Sequence, residues 1–108
     1  LIIMFLIEAT NISDPNESRF CQLNIGRNGI KIVYQDSTIV VPINKFKRAF
    51  SISPNKPKRR HGYQEITENK LLIDCKINDI LHNLTFSTEE NCDPIIYWLR
   101  DNIKKESL

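Results

Sequence analysis

Few residues in this 108-residue chain are equipped for chemistry, and most of those are cations. Seven of its 15 Lys and Arg residues fall in one short stretch: Lys45, Lys47, Arg48, Lys56, Lys58, Arg59 and Arg60. No acidic residue interrupts them. The rest of the chain holds 8 basic against 13 acidic residues, a net of −5 beneath an overall +2. The pattern describes a basic strand and loop on an acidic body, a dipolar protein. Three readings of the basic stretch compete. It is a solvated loop, a docking surface for an acidic partner, or a nuclear-import signal in Lys56-Pro57-Lys58-Arg59-Arg60. Ser51-Ile52-Ser53-Pro54 adds a candidate proline-directed phosphorylation site whose phosphate would offset part of the charge. The simpler reading of those four residues is a strand ended by proline.

Signals for catalysis are weak. His61 falls in the basic stretch, and His82 takes the apolar-patterned side of a strand, where a hydrogen-bonded core histidine is the expected role. No Gly-rich phosphate loop, nucleophile elbow or paired His/carboxylate metal motif is present in the sequence. Cys21, Cys75 and Cys92 are odd in number and widely spaced, which argues against a disulfide framework or a zinc site. Their positions are core-like, where cysteine behaves as a small apolar residue. Reduced thiols of this kind fit a cytoplasmic or nuclear setting. The expectation is a non-enzyme with no catalytic residues, no metal and no cofactor. The triplets beginning at Asn11, Asn16 and Asn83 match the glycosylation acceptor pattern by coincidence in a chain this rich in Asn and Ser.

The elements that must carry these residues are mostly strands. Cys21, Leu23 and Ile25 alternate with polar neighbours, and so do Ile30, Ile32 and Tyr34. Asn28-Gly29 between them accepts positive φ and predicts a hairpin. A turn at Gln35-Asp36-Ser37 leads into the β-branched run Thr38-Ile39-Val40-Val41. Phe46, Phe50 and Ile52 mark a further extended run, closed by Ser53-Pro54. Leu71, Ile73, Cys75 and Ile77 form another, turned at Asn78-Asp79 into Ile80, His82, Leu84 and Phe86. With the opening run Leu1 to Ile7 this makes about seven strands. That run is far too short to span a bilayer and ends at Glu8, so a buried first strand is expected and no transmembrane segment.

The period changes after Ser87. Cys92, Ile95, Ile96, Leu99 and Ile103 form one apolar stripe at helical spacing, over roughly residues 91–105. Ser87 with Glu90 offers a capping box, and Asp93-Pro94 offers a second start. Trp98 lies at the stripe's edge, as core packing or, if exposed, as a groove wall and binding anchor. Residues 54–66, with two prolines and a glycine, are expected to form a basic irregular loop. At 108 residues, 41% hydrophobic and 26% charged, the chain reads as one globular domain, 1–108. It starts at Leu1 rather than Met, which suggests a piece of a larger protein.

Seven short strands followed by one amphipathic helix resemble the pleckstrin-homology superfold. The run Leu23-Asn24-Ile25-Gly26-Arg27-Asn28-Gly29-Ile30-Lys31-Ile32 resembles the L-x-(V/I)-x-x-x-G-(I/L)-x-(I/L) hairpin of phosphotyrosine-binding (PTB) domains and of the FERM C-lobe. Leu84-Thr85-Phe86-Ser87-Thr88 resembles the strand-to-helix junction of the same group. The resemblance implies a mainly β fold: a seven-stranded, partly open barrel capped by the C-terminal helix. It also implies an adaptor or scaffold domain that takes an extended protein or peptide segment along the fifth strand, beside the helix. The matching elements here are Lys47 to Ser53 and Asp93 to Ile103. Lys47, Arg48, Phe50, Ile52 and Trp98 would then contact the partner, with Lys47 and Arg48 meeting an acidic or phosphorylated group. No matched pair of phosphotyrosine-binding arginines is evident. The basic patch Lys45, Lys56, Lys58, Arg59 and Arg60 would form a rim. A rival is nucleic-acid or chromatin association through the same patch, and another is weak attraction to an anionic membrane.

Lipid-binding members carry a basic cluster in the first hairpin, whereas the loop expected at residues 11–19 here holds Asp14 and Glu17 and a single cation, Arg19. No specific phosphoinositide binding is therefore expected. Vesicles with and without phosphoinositide, compared by co-sedimentation at near-physiological salt, should retain the chain equally. Headgroup-selective binding at about micromolar affinity would contradict this.

Overall fold

A computed structural model describes residues 3–53 and 68–106 of the chain. The expected loop at 54–66, with Lys56, Lys58, Arg59 and Arg60, lies outside the described residues. Among the described residues seven strands are present: β1 (Ile3–Asp14), β2 (Glu17–Gly26), β3 (Gly29–Val33), β4 (Thr38–Pro42), β5 (Phe46–Ile52), β6 (Asn69–Ile77) and β7 (Ile80–Thr88). One helix, α1 (Asp93–Glu106), follows them, and a single 3-10 turn at Ile43–Lys45 joins β4 to β5. The strands form one antiparallel sheet in the order β4-β3-β2-β1-β7-β6-β5, so the two ends do not close on each other. The fold is mainly β with a single C-terminal helix, as the period-two runs and the one helical stripe predict.

Local chemistry explains the tight connections. Gly29 has φ +130°, and a Cβ there would stand 2.0 Å from the Val41 carbonyl oxygen. Only glycine fits that close pairing of the start of β3 with the end of β4. Asn78 and Asp79 both take positive φ, 53° and 65°, in the two-residue connection of β6 to β7. Paired positive φ gives a turn whose twist matches the strands it joins. The first hairpin departs from expectation. Asn11 to Asp14 continue β1 and Glu17 to Arg19 begin β2, so the loop expected at 11–19 shrinks to Pro15-Asn16. The Asp14 carboxylate accepts the Asn16 backbone N–H at 2.9 Å and closes that turn.

The core is the concave side of the curled sheet. Leu23, Ile25, Ile30 and Ile32 from one half and Leu71, Ile73, Cys75 and Phe86 from the other are essentially sealed from solvent. The inward row of β7 runs out at the turn, where Ile80 is exposed and His82, opposite Cys75, is half-buried. The helix supplies Ile95, Ile96 and Leu99 to the same core, and Cys92 joins them from just before its start. It begins at the Asp93-Pro94 start, because Ser87 and Thr88 remain in β7. Pro94 there gives up an N–H that has no intrahelical partner in a first turn. The Asn91 side chain accepts the Asp93 N–H, and the Ile96 N–H returns to the Cys92 carbonyl.

Leu99 has no exposed surface. Its replacement by Ala should cost about 2–5 kcal/mol, the usual range for emptying a sealed leucine site. Chemical denaturation reads this directly, and a cost near zero would mean that the helix is not docked.

Candidate functional site

One irregularity in β5 sets the arrangement of its side chains. Phe46 pairs with Cys75 and Arg48 with Asp74, so two steps along β5 match one along β6. A bulge of this kind breaks the alternation of faces. Phe46 and Ala49 therefore both point into the core, while the adjacent Lys47 and Arg48 are both exposed. Beyond the bulge, Phe50 and Ile52 turn outward, at 38% and 52% exposure. Strict period two would have placed Phe46 on the same face as Phe50 and Ile52.

Helix α1 lies alongside this strand and runs antiparallel to it. The Ser51 hydroxyl donates to the Asp93 carboxylate at 3.0 Å, at the start of the helix. Two turns later the Arg100 guanidinium Nε donates to the Ala49 carbonyl at 3.1 Å. Further on, Ile103 and Lys104 come beside Lys47 and Arg48. Between strand and helix is a shallow depression of about 200 Å³, lined by Lys47, Arg48, Ala49, Phe50, Arg100, Ile103 and Lys104.

Its electrostatics are dominated by four cations around one aromatic ring. The guanidinium carbons of Arg48 and Arg100 stand 5.7 and 5.9 Å from the Phe50 ring centroid, within cation–π range. Arg48 also pairs with Asp74 at 3.2 Å, and Asp74 accepts the Asn83 amide through its other oxygen. Asp74 thus offsets part of the charge on Arg48. An acidic or phosphorylated side chain placed here would meet cations on both walls and an apolar floor.

The remaining expected residues fall elsewhere. Trp98 is half-buried and packs edge-to-face on Phe5 of β1, with centroids 6.3 Å apart. It does not line the depression. Lys45 is exposed in the 3-10 turn before β5. Ile103, from the apolar stripe, also lines the depression, and Arg100 and Lys104 complete it without a sequence signal that marks them for the site. A cation on the outer side of an amphipathic helix is ordinary, and only the register of α1 against β5 gives Arg100 its place.

The three cysteines are buried and free. Burial pushes the Cys75 and Cys92 thiols from an ordinary 9.0 up to about 11, with Asp74 adding to the rise at Cys75, and Asp93 and Glu90 at Cys92. Burial also raises Cys21, against the lowering effects of the Asn11 backbone and Arg19. At neutral pH all three are thiols, the weakly nucleophilic form.

In the native protein these thiols should be inert to an aromatic disulfide reagent at about pH 8, and all three should react once the chain is unfolded. Because the folded values lie above the unfolded ones, their stabilising contribution is full below pH 9.0 and is lost as pH rises towards about 11. Urea midpoints should fall across that window, and less steeply in Cys75→Ala. Rapid native-state labelling would contradict the burial described above.

No protein-family model matches this chain, and no curated protein matches it significantly.

Proposed function

We propose that this chain is a non-catalytic adaptor or scaffold domain that binds an acidic segment of a protein or peptide between β5 and α1. The observation that carries the proposal is the convergence of Lys47, Arg48, Arg100 and Lys104 on one depression, with Arg48 and Arg100 set over the exposed Phe50 ring. A pleckstrin-homology-like kinship, with PTB domains as the nearest pattern, forms part of the same proposal. It is supported by two antiparallel meanders, β1 to β4 and β5 to β7, joined through β1 and β7, and by a terminal helix laid along the edge strand β5.

The geometry shapes how binding proceeds. Strand addition on β5 draws its affinity from main-chain hydrogen bonds. The Ala49 carbonyl is already accepted from by Arg100, so an incoming main chain must displace that contact or pass it by. Side-chain recognition in the depression therefore carries more of the binding than a continuous β-ladder does. Exposed cations there chiefly raise the association rate and select against basic partners.

Lys47 and Lys104 are the cleanest probes, being exposed and without an ion pair among the described residues. Lys47→Glu combined with Lys104→Glu should slow association with a Glu-rich peptide by about an order of magnitude at low salt. Salt, which weakens binding to the wild-type protein, should strengthen it in the variant. In amide-shift titrations the Glu-rich peptide should perturb residues 47–52 and the helix, and a Lys-rich peptide should not. Shifts that map to neither element would refute the site.

A further inference from the structure

Among the described residues the sheet has two free ends, and they are built differently. β5 is flanked by α1, has an edge carbonyl occupied by Arg100, and carries Lys47 and Arg48. Charges and covering elements of this kind are how proteins guard an edge against pairing with another chain. β4, at the other end, is Thr38-Ile39-Val40-Val41-Pro42 and contains no charged residue.

The hydrogen-bond parity of β4 is fixed at both its ends. The Ile43 N–H donates to Asn28 and the Tyr34 N–H donates to Ser37, and the register between them is unbroken from Val33–Thr38 to Gly29–Pro42. Ile39 and Val41 therefore turn their backbone groups towards β3, and Thr38, Val40 and Pro42 turn theirs away. Thr38, Val40 and Pro42 are also the exposed positions, with Val40 at 63%. The free edge thus offers N–H and C=O from Thr38 and Val40 but only C=O from Pro42, which has no N–H.

We infer that this edge pairs with the β4 edge of a second copy of the chain, antiparallel about a two-fold axis through Val40. In that register each Val40 exchanges both its hydrogen bonds with the other Val40, and each Thr38 N–H meets the other copy's Pro42 carbonyl. The donor that Pro42 lacks costs only one acceptor at each end. The apolar Val40 side chains become cross-strand neighbours, a favourable pair on a sheet surface.

Charge selects a second copy over a foreign strand. Asp36 precedes β4 and Lys45 follows it, with no charge between them. Antiparallel pairing of identical strands brings the Asp36 end of each towards the Lys45 end of the other. Asp36 is tied to Arg19 through one oxygen and keeps its side chain 78% exposed. A two-fold contact satisfies both ends at once and leaves no further edge on that side. Edge pairing alone buries less than a standard interface, so the dimer is weak and concentration-dependent.

Sedimentation of the full chain from about 10 μM to about 1 mM should show a monomer–dimer equilibrium. Val40→Lys and Val40→Glu, at a position exposed enough to leave the fold intact by circular dichroism, should each be monomeric throughout. Mixed in equal amounts, they should regain the dimer, and the Thr38 and Val40 amides of the wild type should become more protected from exchange as concentration rises. A wild-type chain that stays monomeric, or a dimer that survives Val40→Lys, overturns the inference. A mixture that stays monomeric overturns the Val40-to-Val40 register.

Discussion

β1 and β7 are paired at only two positions, Thr10 with Ser87 and Asn11 with Phe86, yet this short seam joins the two halves of the sheet. Side chains extend it in both directions. The Thr88 hydroxyl donates to the Glu8 carbonyl at 2.8 Å, and the Thr85 N–H donates to Ser13 Oγ at 2.9 Å. Ser13 Oγ donates in turn to the Asn11 side chain, whose amide donates to the Tyr34 hydroxyl at 2.7 Å. The relay runs from β7 through β1 to the end of β3. Among the described residues Thr88 is the one polar residue that is buried, and both its hydrogen bonds are made, so its burial carries no desolvation penalty left unmet. The seam also fixes where β7 ends and hence where the chain is released into α1.

From that release point the site follows by packing. The helix has to cover the open side of a curled sheet, and its stripe of Ile95, Ile96 and Leu99, with Cys92 just before it, does so. The bulge at Lys47 gives β5 an inward pair, Phe46 and Ala49, spaced by three rather than two. The two cations between them have nowhere to go but outward. The site's positive character is thus a by-product of how β5 keeps its core contacts. Arg100 and Ser51 then fasten the helix to the strand by polar contacts at its rim.

Period-two alternation made most of this architecture legible. Leu23 to Ile32 and Leu71 to Cys75 alternate cleanly, and Asn78-Asp79 is turn chemistry with a mechanism. Of Asn28-Gly29, only Gly29 takes positive φ, as the first residue of β3. What stayed hidden depended on partners distant in sequence. Asn11-Ile12-Ser13-Asp14 has a loop-like composition, yet it holds β1 together because Asn11 and Ser13 bond to Tyr34 and Thr85. The β5 bulge carries no glycine or other local marker, so its reversal of Phe50 and Ile52 could not be read from spacing. Lys47, Arg48 and Phe50 were legible as a basic strand with an aromatic. Arg100 was not, because its role exists only in the register of helix against strand.

Charge organises the surface at a larger scale than any single pair. A cleft beside the seam is lined by Glu8, Glu68, Glu89 and Glu90, while the depression between β5 and α1 is lined by four cations. Opposed fields of this kind orient an approaching charged partner before contact is made. Their reach is about a Debye length, roughly 8 Å at physiological salt, so only the last stage of approach is steered. On the proposed reading, an acidic segment would be turned away from the Glu-lined cleft and towards the cationic one. β4 itself carries no charge, so on that edge backbone hydrogen bonding and shape act between the flanking charges of Asp36 and Lys45.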